Sequence, residues 1–242
     1  MSASASFIAH LIELRKRLLN SVVAVLLVFV CLFPWSSNLY TLLAQPLLSK
    51  LPNGGQMIAT DVTTPFFVPL KVAMMAAFLI ALPYILYQIW RFVAPGLYAH
   101  EKRLVLPLIF ASTLLFFCGM AFAYFVVFPV VFGFITSSAP QGVAVMTDID
   151  KYLSFVLSMF MAFGITFQVP VAVVLLVRMG FVTVEKLREA RPYAVVGAFV
   201  VGAIFTPPDV VSQLMLAMPL WLLYEAGIVV ASWVGKGEAK ES

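Results

Sequence analysis

The sequence predicts an all-α integral membrane protein built as a bundle of six spanning helices. Three observations carry this: the excess of apolar residues, six apolar windows near spanning length, and the lopsided placement of the basic residues. Apolar residues fill 63% of the 242 positions and charged ones 11%, whereas soluble domains carry roughly 25% charged residues. Crossing ~30 Å of hydrocarbon takes about 20 predominantly apolar residues. The windows run over Leu18–Trp35, Phe66–Trp90, Leu104–Phe128, Tyr152–Val177, Tyr193–Thr206 and Val210–Val234. Positive charge near span ends stays on the cytoplasmic side. One set of alternate segments collects Arg15, Lys16, Arg17, Arg91, Lys102, Arg103, Arg178, Lys186, Arg188, Arg191, Lys236 and Lys240, while the other keeps only Lys50, Lys71 and Lys151. Twelve against three places both termini in the cytoplasm and explains the net charge of +4 without nucleic acid.

Ahead of the first window, Phe7, Leu11, Leu14 and Leu18 recur at helical spacing, with His10, Glu13, Lys16 and Arg17 on other faces. This reads as an amphipathic helix in the membrane interface that runs into span 1. Arg15-Lys16-Arg17 before an apolar run imitates a signal peptide, but five further windows and the absence of a small-x-small site after Trp35 favour an uncleaved helix. The outward loop Ser36–Thr64 holds Pro46, Pro52 and Asn53-Gly54-Gly55, so turns and short helical pieces are expected there rather than strands. Pro83, Pro107, Pro170 and Pro219 fall inside spans 2, 3, 4 and 6 and are expected to bend them. Tyr84, Tyr87 and Trp90 close span 2 as an interfacial aromatic belt. Span 5 is short, with 14 residues between Pro192 and Pro207, or ~21 Å of helix. Thinning of the bilayer or helix association relieves such a mismatch. The whole chain, 1–242, is one transmembrane domain with a short cytoplasmic tail, 235–242.

No catalytic set stands out. His10 and His100 are far apart in sequence, no metal-ligand spacing exists, and Cys31 and Cys118 sit in apolar windows as small hydrophobes. The chain is therefore read as a non-enzyme without cofactor or metal. The informative residues are polar groups at membrane depth, which are expensive there. Gln168, beside Pro170, reads either as a helix-to-helix hydrogen bond or as a polar spot facing water. Glu225 reads as snorkelling or pairing with a cytoplasmic arginine. Asp209 is placed to cap span 6, with Gln213 one turn later. In the segment from Arg91 to Arg103, Glu101 has Lys102 and Arg103 as simple surface partners. A carboxylate near the headgroups, such as Glu101 or Glu13, is also a natural receptor for a guanidinium. A small-solute or ion transporter with Gln168 and Glu225 lining the path is the alternative, although no internal repeat of the transporter kind is evident.

At these residues the sequence resembles the TatC family, the multi-span receptor subunits of the twin-arginine protein translocase. The resemblance covers essentially the whole chain. It rests on His10-Leu11-Ile12-Glu13-Leu14-Arg15-Lys16-Arg17, the Phe92 to Glu101 segment, Thr147-Asp148, Arg191-Pro192-Tyr193 and Thr206-Pro207-Pro208-Asp209. It implies a six-span concave fold in the bacterial inner membrane, whose cytoplasmic face binds the twin-arginine signal peptides of folded cargo. It also implies TatA-like and TatB-like single-span partners, a homo-oligomeric receptor complex, and transport driven by the proton-motive force. Position by position, the resemblance assigns Glu13 and Glu101 to the signal-peptide arginines, with Phe92, Pro95 and Leu97 shaping the same patch. It assigns Pro46, Asp61 and Asp148 to the outward loops, and Gln168, Thr206 and Gln213 to partner-helix docking. The family commonly carries a glutamate where this chain has Gln168, so a hydrogen bond survives at that position and a titratable proton does not.

Overall fold

Hydrocarbon offers the backbone no hydrogen-bond partners, so a chain this apolar must satisfy its amides within helices. The computed structural model describes residues 3–48, 57–93, 105–137, 147–205 and 210–238, and apart from two short strands every regular element there is helical. In chain order these are α1 (Ala3–Leu32), a 3-10 turn (Phe33–Trp35), α2 (Ser36–Leu48), β1 (Met57–Ile58), α3 (Thr64–Val93) and α4 (Val105–Phe122). A π turn (Ala123–Val127), α5 (Phe128–Ser137), β2 (Thr147–Asp148), α6 (Ile149–Thr166) and α7 (Val169–Arg178) follow. The chain then forms α8 (Val184–Glu189), α9 (Arg191–Phe205) and α10 (Val210–Glu238).

Five helical runs are long and apolar enough to cross a membrane: Leu11–Ala44, Thr64–Phe92, Leu106–Phe134, Ile149–Arg178 and Val210–Trp233. The shortest has 24 residues, ~36 Å of helix. α9 is 15 residues long, ~22 Å, so the fifth window is short in the structure as in the sequence. Leu27, Phe110, Phe125, Ile204 and Trp233 are each 65% exposed or more. Water would penalise each by roughly 1.5–3 kcal/mol, whereas lipid tails do not. The protein is accordingly a multi-pass membrane protein.

Several boundaries differ from expectation for identifiable reasons. The amphipathic segment and span 1 form one helix, and its apolar run continues through the Pro34 turn into α2. Pro107 does not interrupt span 3, because it lies in the first turn of α4, where its missing N–H would have had no helical acceptor. The interruption comes at Pro129 instead. The turn before it widens so that the Phe128 N–H bonds the Ala123 carbonyl five residues back, which makes room for the proline ring, and the apolar helix runs on to Phe134. Pro83 and Pro219 are inside α3 and α10, which continue past them. Pro170 breaks span 4 into α6 and α7, with Phe167 and Gln168 forming the connecting turn.

The chain falls into two compact units, Met1–Leu43 with Pro65–Thr113, and Ala44–Thr64 with Leu114–Ser242. In the second unit, Phe128 is fully buried and packs against Phe132, Phe155 and Phe160, with ring centroids 5.6, 6.2 and 5.3 Å away. Phe122 lies against Phe163 and Phe167. Such pairs contribute about 0.5–1.5 kcal/mol each beyond their burial. A second cluster seats Leu187 of α8 among Val173, Ile228 and Ala231, and the Tyr224 hydroxyl donates to the Leu187 carbonyl (2.8 Å). α4 and α6 touch through glycine: a Cβ on Gly119 would lie 2.5 Å from the Phe163 carbonyl oxygen, and backbone cannot yield as a side chain can. The expectation that Ser36–Thr64 would lack strands is corrected. β1 pairs in parallel with β2, Met57 opposite Thr147 and Ile58 opposite Asp148, a long-range pairing that turn residues do not announce.

Gly119→Ala should therefore push α4 from α6 and lower both the thermal midpoint and the amount of inserted protein. Gly133→Ala, whose added Cβ would meet nothing within 4 Å beyond its own helix backbone, should leave both unchanged. Equal behaviour of the two variants would refute the close crossing.

Candidate functional site

Within the first unit, the charged start of the apolar run in α1 and the polar end of α3 form one hydrogen-bonded chain. One helical turn brings Arg17 under Glu13, and the guanidinium donates to Glu13 Oε1 through Nε (3.0 Å) and Nη2. Its Nη1 donates to Gln88 Oε1 (3.3 Å), and Gln88 Nε2 donates to the Tyr84 hydroxyl (2.6 Å). Gln88 is only 7% exposed, so both ends of its amide are used where an unmet one would cost about 1–3 kcal/mol. Farther along α3, Arg91 Nη1 donates to the Tyr87 hydroxyl (3.0 Å), and the guanidinium carbon stands 5.8 Å from that ring's centre.

Two cavities flank this chain. The larger, about 500 Å³, is lined by Ile12, Glu13, Lys16, Arg17, Asn20, Tyr84, Tyr87, Gln88 and Arg91. The other, about 240 Å³, is mostly apolar and is lined by Leu14, Arg17, Leu18, Ser21, Ile85, Gln88, Ile89 and Phe92. Arg17 and Gln88 line both. A carboxylate and hydroxyls on one side with apolar walls on the other suit a ligand that carries a cation next to apolar groups.

Of the expected recognition residues, Glu13 and Phe92 are thus on this chain of contacts or its apolar flank, while Pro95, Leu97 and Glu101 lie outside the described residues. The sequence reading gave Arg17 no role in the site beyond its place in the charged motif, and it did not single out Gln88. Gln88 carried a usable signal, a lone amide near the end of an apolar window, of the same kind that singled out Gln168.

In the second unit, Asp148 is a four-donor acceptor. Oδ1 caps α6 by accepting the Asp150 and Lys151 amides (2.9 and 3.0 Å), and Oδ2 accepts the Thr60 amide and hydroxyl (3.1 and 2.6 Å). The Thr60 hydroxyl above all, then the Lys151 amide, with the Thr60 and Asp150 amides, holds the carboxyl at about 2 against the opposing effect of desolvation. Asp61 follows Thr60, and its carbonyl accepts the Thr64 amide (3.2 Å). Pro46 lies in α2. Glu225 pairs with Arg191, Nη2 to Oε2 at 2.7 Å, which is the second of the two readings the sequence left open, snorkelling or an arginine partner. Gln213 donates to the Phe199 carbonyl (3.1 Å), where α10 approaches Gly202 so closely that a Cβ would meet Gln213 Cγ at 3.1 Å. Gln168 is half-buried at the turn before α7, and its carbonyl accepts the Ala172 amide (3.0 Å). Thr206 and Asp209 lie outside the described residues.

The family described as Sec-independent protein translocase protein (TatC) matches residues 9–219, a stretch that holds the α1–α3 cavity and the Asp148 clasp. The chain belongs to the TatC family. It is 56% identical over 235 residues to the Sec-independent protein translocase protein TatC of Escherichia coli K12, covering 97% of this chain and 91% of the relative. It is 42% identical over 221 residues to the TatC of Aquifex aeolicus, covering 90% and 91%. A solved structure named as the crystal structure of the twin arginine translocase receptor TatC superposes with a TM-score of 0.82 at 40% identity, covering 93% of this chain and 98% of that one. The function of this TatC-family chain is that of a Sec-independent protein translocase component.

The Asp148 clasp has a pH signature. Its carboxyl is depressed from 3.8 to about 2, so its contribution to stability is complete above about pH 4 and disappears as pH falls from there toward 2. Asp148→Asn should lower the thermal midpoint by a few degrees at pH 7, with the gap from the unaltered chain closing as pH approaches 2. A gap independent of pH would show that the charge has no part in the clasp.

Proposed function

We propose that the chain is the receptor subunit of a twin-arginine translocase. It crosses the bacterial inner membrane six times with both termini in the cytoplasm, and it binds the twin-arginine signal peptides of folded cargo at its cytoplasmic face. The observation that carries this reading is the Glu13–Arg17 pair beside a cavity of about 500 Å³: a carboxylate that already accepts a two-nitrogen guanidinium contact has the chemistry to accept another. The apolar flank with Phe92 suits apolar residues next to the arginines. Glu101 supplies the second carboxylate and Pro95 and Leu97 the remaining walls. The twelve-to-three partition of Lys and Arg supports the orientation.

Partner docking follows from the short α9. Tyr193, Val196, Val200 and Ile204 form one helical face, each more than half exposed, and a single-span helix of the TatA or TatB kind laid there would relieve the length mismatch. Thr206, Gln213 and Gln168 supply the polar anchors. Copies assemble into a homo-oligomeric receptor complex, and the proton-motive force drives transport.

Glu13→Ala and Glu101→Lys should each weaken crosslinking of a twin-arginine peptide by roughly ten- to a hundredfold, the loss expected for a charge-assisted hydrogen bond, while insertion is unchanged. Crosslinking at the level of the unaltered chain in both variants would overturn the receptor reading.

A further inference from the structure

The larger cavity has a charge that the receptor reading leaves unexplained. Its lining holds three cations, Lys16, Arg17 and Arg91, and one carboxylate, Glu13, so it carries a net charge of +2 among the described residues. Glu13 is engaged by Arg17. Among the described residues the Lys16 ammonium has no ion pair, and Arg91 spends one nitrogen on the Tyr87 hydroxyl, leaving its other donors available. Asn20 adds an amide, and the Tyr87 oxygen, which accepts from Arg91, keeps its own O–H to donate. Lys16 and Asn20 also line an adjoining pocket of about 260 Å³ with Arg15. Away from the Glu13–Arg17 pair, donors therefore outnumber acceptors around the open space.

The depth of the cavity selects the anion. Lys16 lies two residues before the apolar window that opens at Leu18, and Arg91 lies one residue beyond the window that closes at Trp90. Both helices thus put the cavity at the level where hydrocarbon gives way to headgroups, with Tyr84 and Tyr87 as interfacial aromatics. The charge present there in quantity is the phosphodiester, and juxtamembrane cations gain about 1 kcal/mol each beside anionic lipid. A tetrahedral oxyanion takes several N–H and O–H donors at once, and Lys16, Arg91, Asn20 and Tyr87 all line this cavity.

We propose that this cavity binds a phosphate group, the chemistry shared by an anionic phospholipid headgroup and by free inorganic phosphate. The bound oxyanion would cancel the positive potential that otherwise repels an arriving arginine from Glu13. The site itself does not depend on the receptor reading, and its test contains no peptide.

The test is native mass spectrometry of the full chain released from micelles, offered phosphatidylglycerol, phosphatidylcholine of equal chain length, or inorganic phosphate. The unaltered chain should retain phosphatidylglycerol in preference to phosphatidylcholine. The double variant K16Q/R91Q should lose roughly tenfold in that retention, and Tyr87→Phe, which removes a single hydroxyl, should lose less. The charge-matched pair K186Q/R188Q in α8 should retain lipid as the unaltered chain does, which separates this cavity from general surface charge. Retained lipid assigns the site to the headgroup. Phosphate bound without lipid, and lost in K16Q/R91Q, assigns it to the free ion. Equal retention in K16Q/R91Q and the unaltered chain, or equal losses in both double variants, would overturn the proposal. Elution of each variant at the position of the unaltered chain on size exclusion confirms that the readings come from folded protein.

Discussion

The structure depends on one constraint: in hydrocarbon a polar group must find its partner within the protein. Many polar side chains of the described helices obey it, the buried Trp90 indole N–H being an exception. Thr113 donates to the Ile109 carbonyl, Ser21 to that of Arg17 and Ser232 to that of Val229, so hydroxyls in apolar runs fold back onto their own helix. Larger groups reach across to a neighbouring helix. Glu225 of α10 takes Arg191 of α9, Gln213 of α10 takes a carbonyl of α9, and Gln88 of α3 takes Arg17 of α1. Prolines are handled in the same way, by a widened π turn before Pro129 and a broken helix before Pro170. The polar bonds and the helix irregularities answer a single demand.

Function grows from what that demand leaves over. Where α1 enters its apolar run and α3 leaves its own, carboxylate, guanidinium, amide and phenol are linked in sequence beside an open cavity. Glu13 and Arg17 line the open space, whereas Gln88 is buried with both ends of its amide used. The Asp148 clasp does different work: one carboxylate joins the cap of α6 to the strand pair and to Thr60. It orders a connection where polar residues have water as an alternative partner.

Much of this was legible in the sequence. Apolar windows near spanning length located five long helices and one short one, because hydrocarbon thickness acts on length directly. The pairing of Glu225 with an arginine followed from the cost of a lone carboxylate. What escaped notice depends on contacts distant in sequence. The β1–β2 pair joins segments ninety residues apart, and its two-residue strands are too short to show alternation. The innocence of Pro107 depends on where α4 begins, and window averages do not locate helix ends. Gln88 was passed over because it stands among aromatic residues that read as an interfacial belt. The assignment of recognition residues came from the family resemblance, whereas the hydrogen bonds that join Arg17 to Gln88 came from geometry alone.

The central claim, that the α1–α3 cavity receives the arginines of a signal peptide, is tested most directly by placing a photoreactive phenylalanine analogue at Tyr87, on the cavity wall, in native membranes. A receptor cavity there predicts adducts with a twin-arginine peptide, greatly reduced when both peptide arginines are replaced by lysine, since a point charge cannot reproduce the guanidinium fork. No adduct from position 87, while the same analogue on the exposed face of α9 captures the peptide, would contradict it.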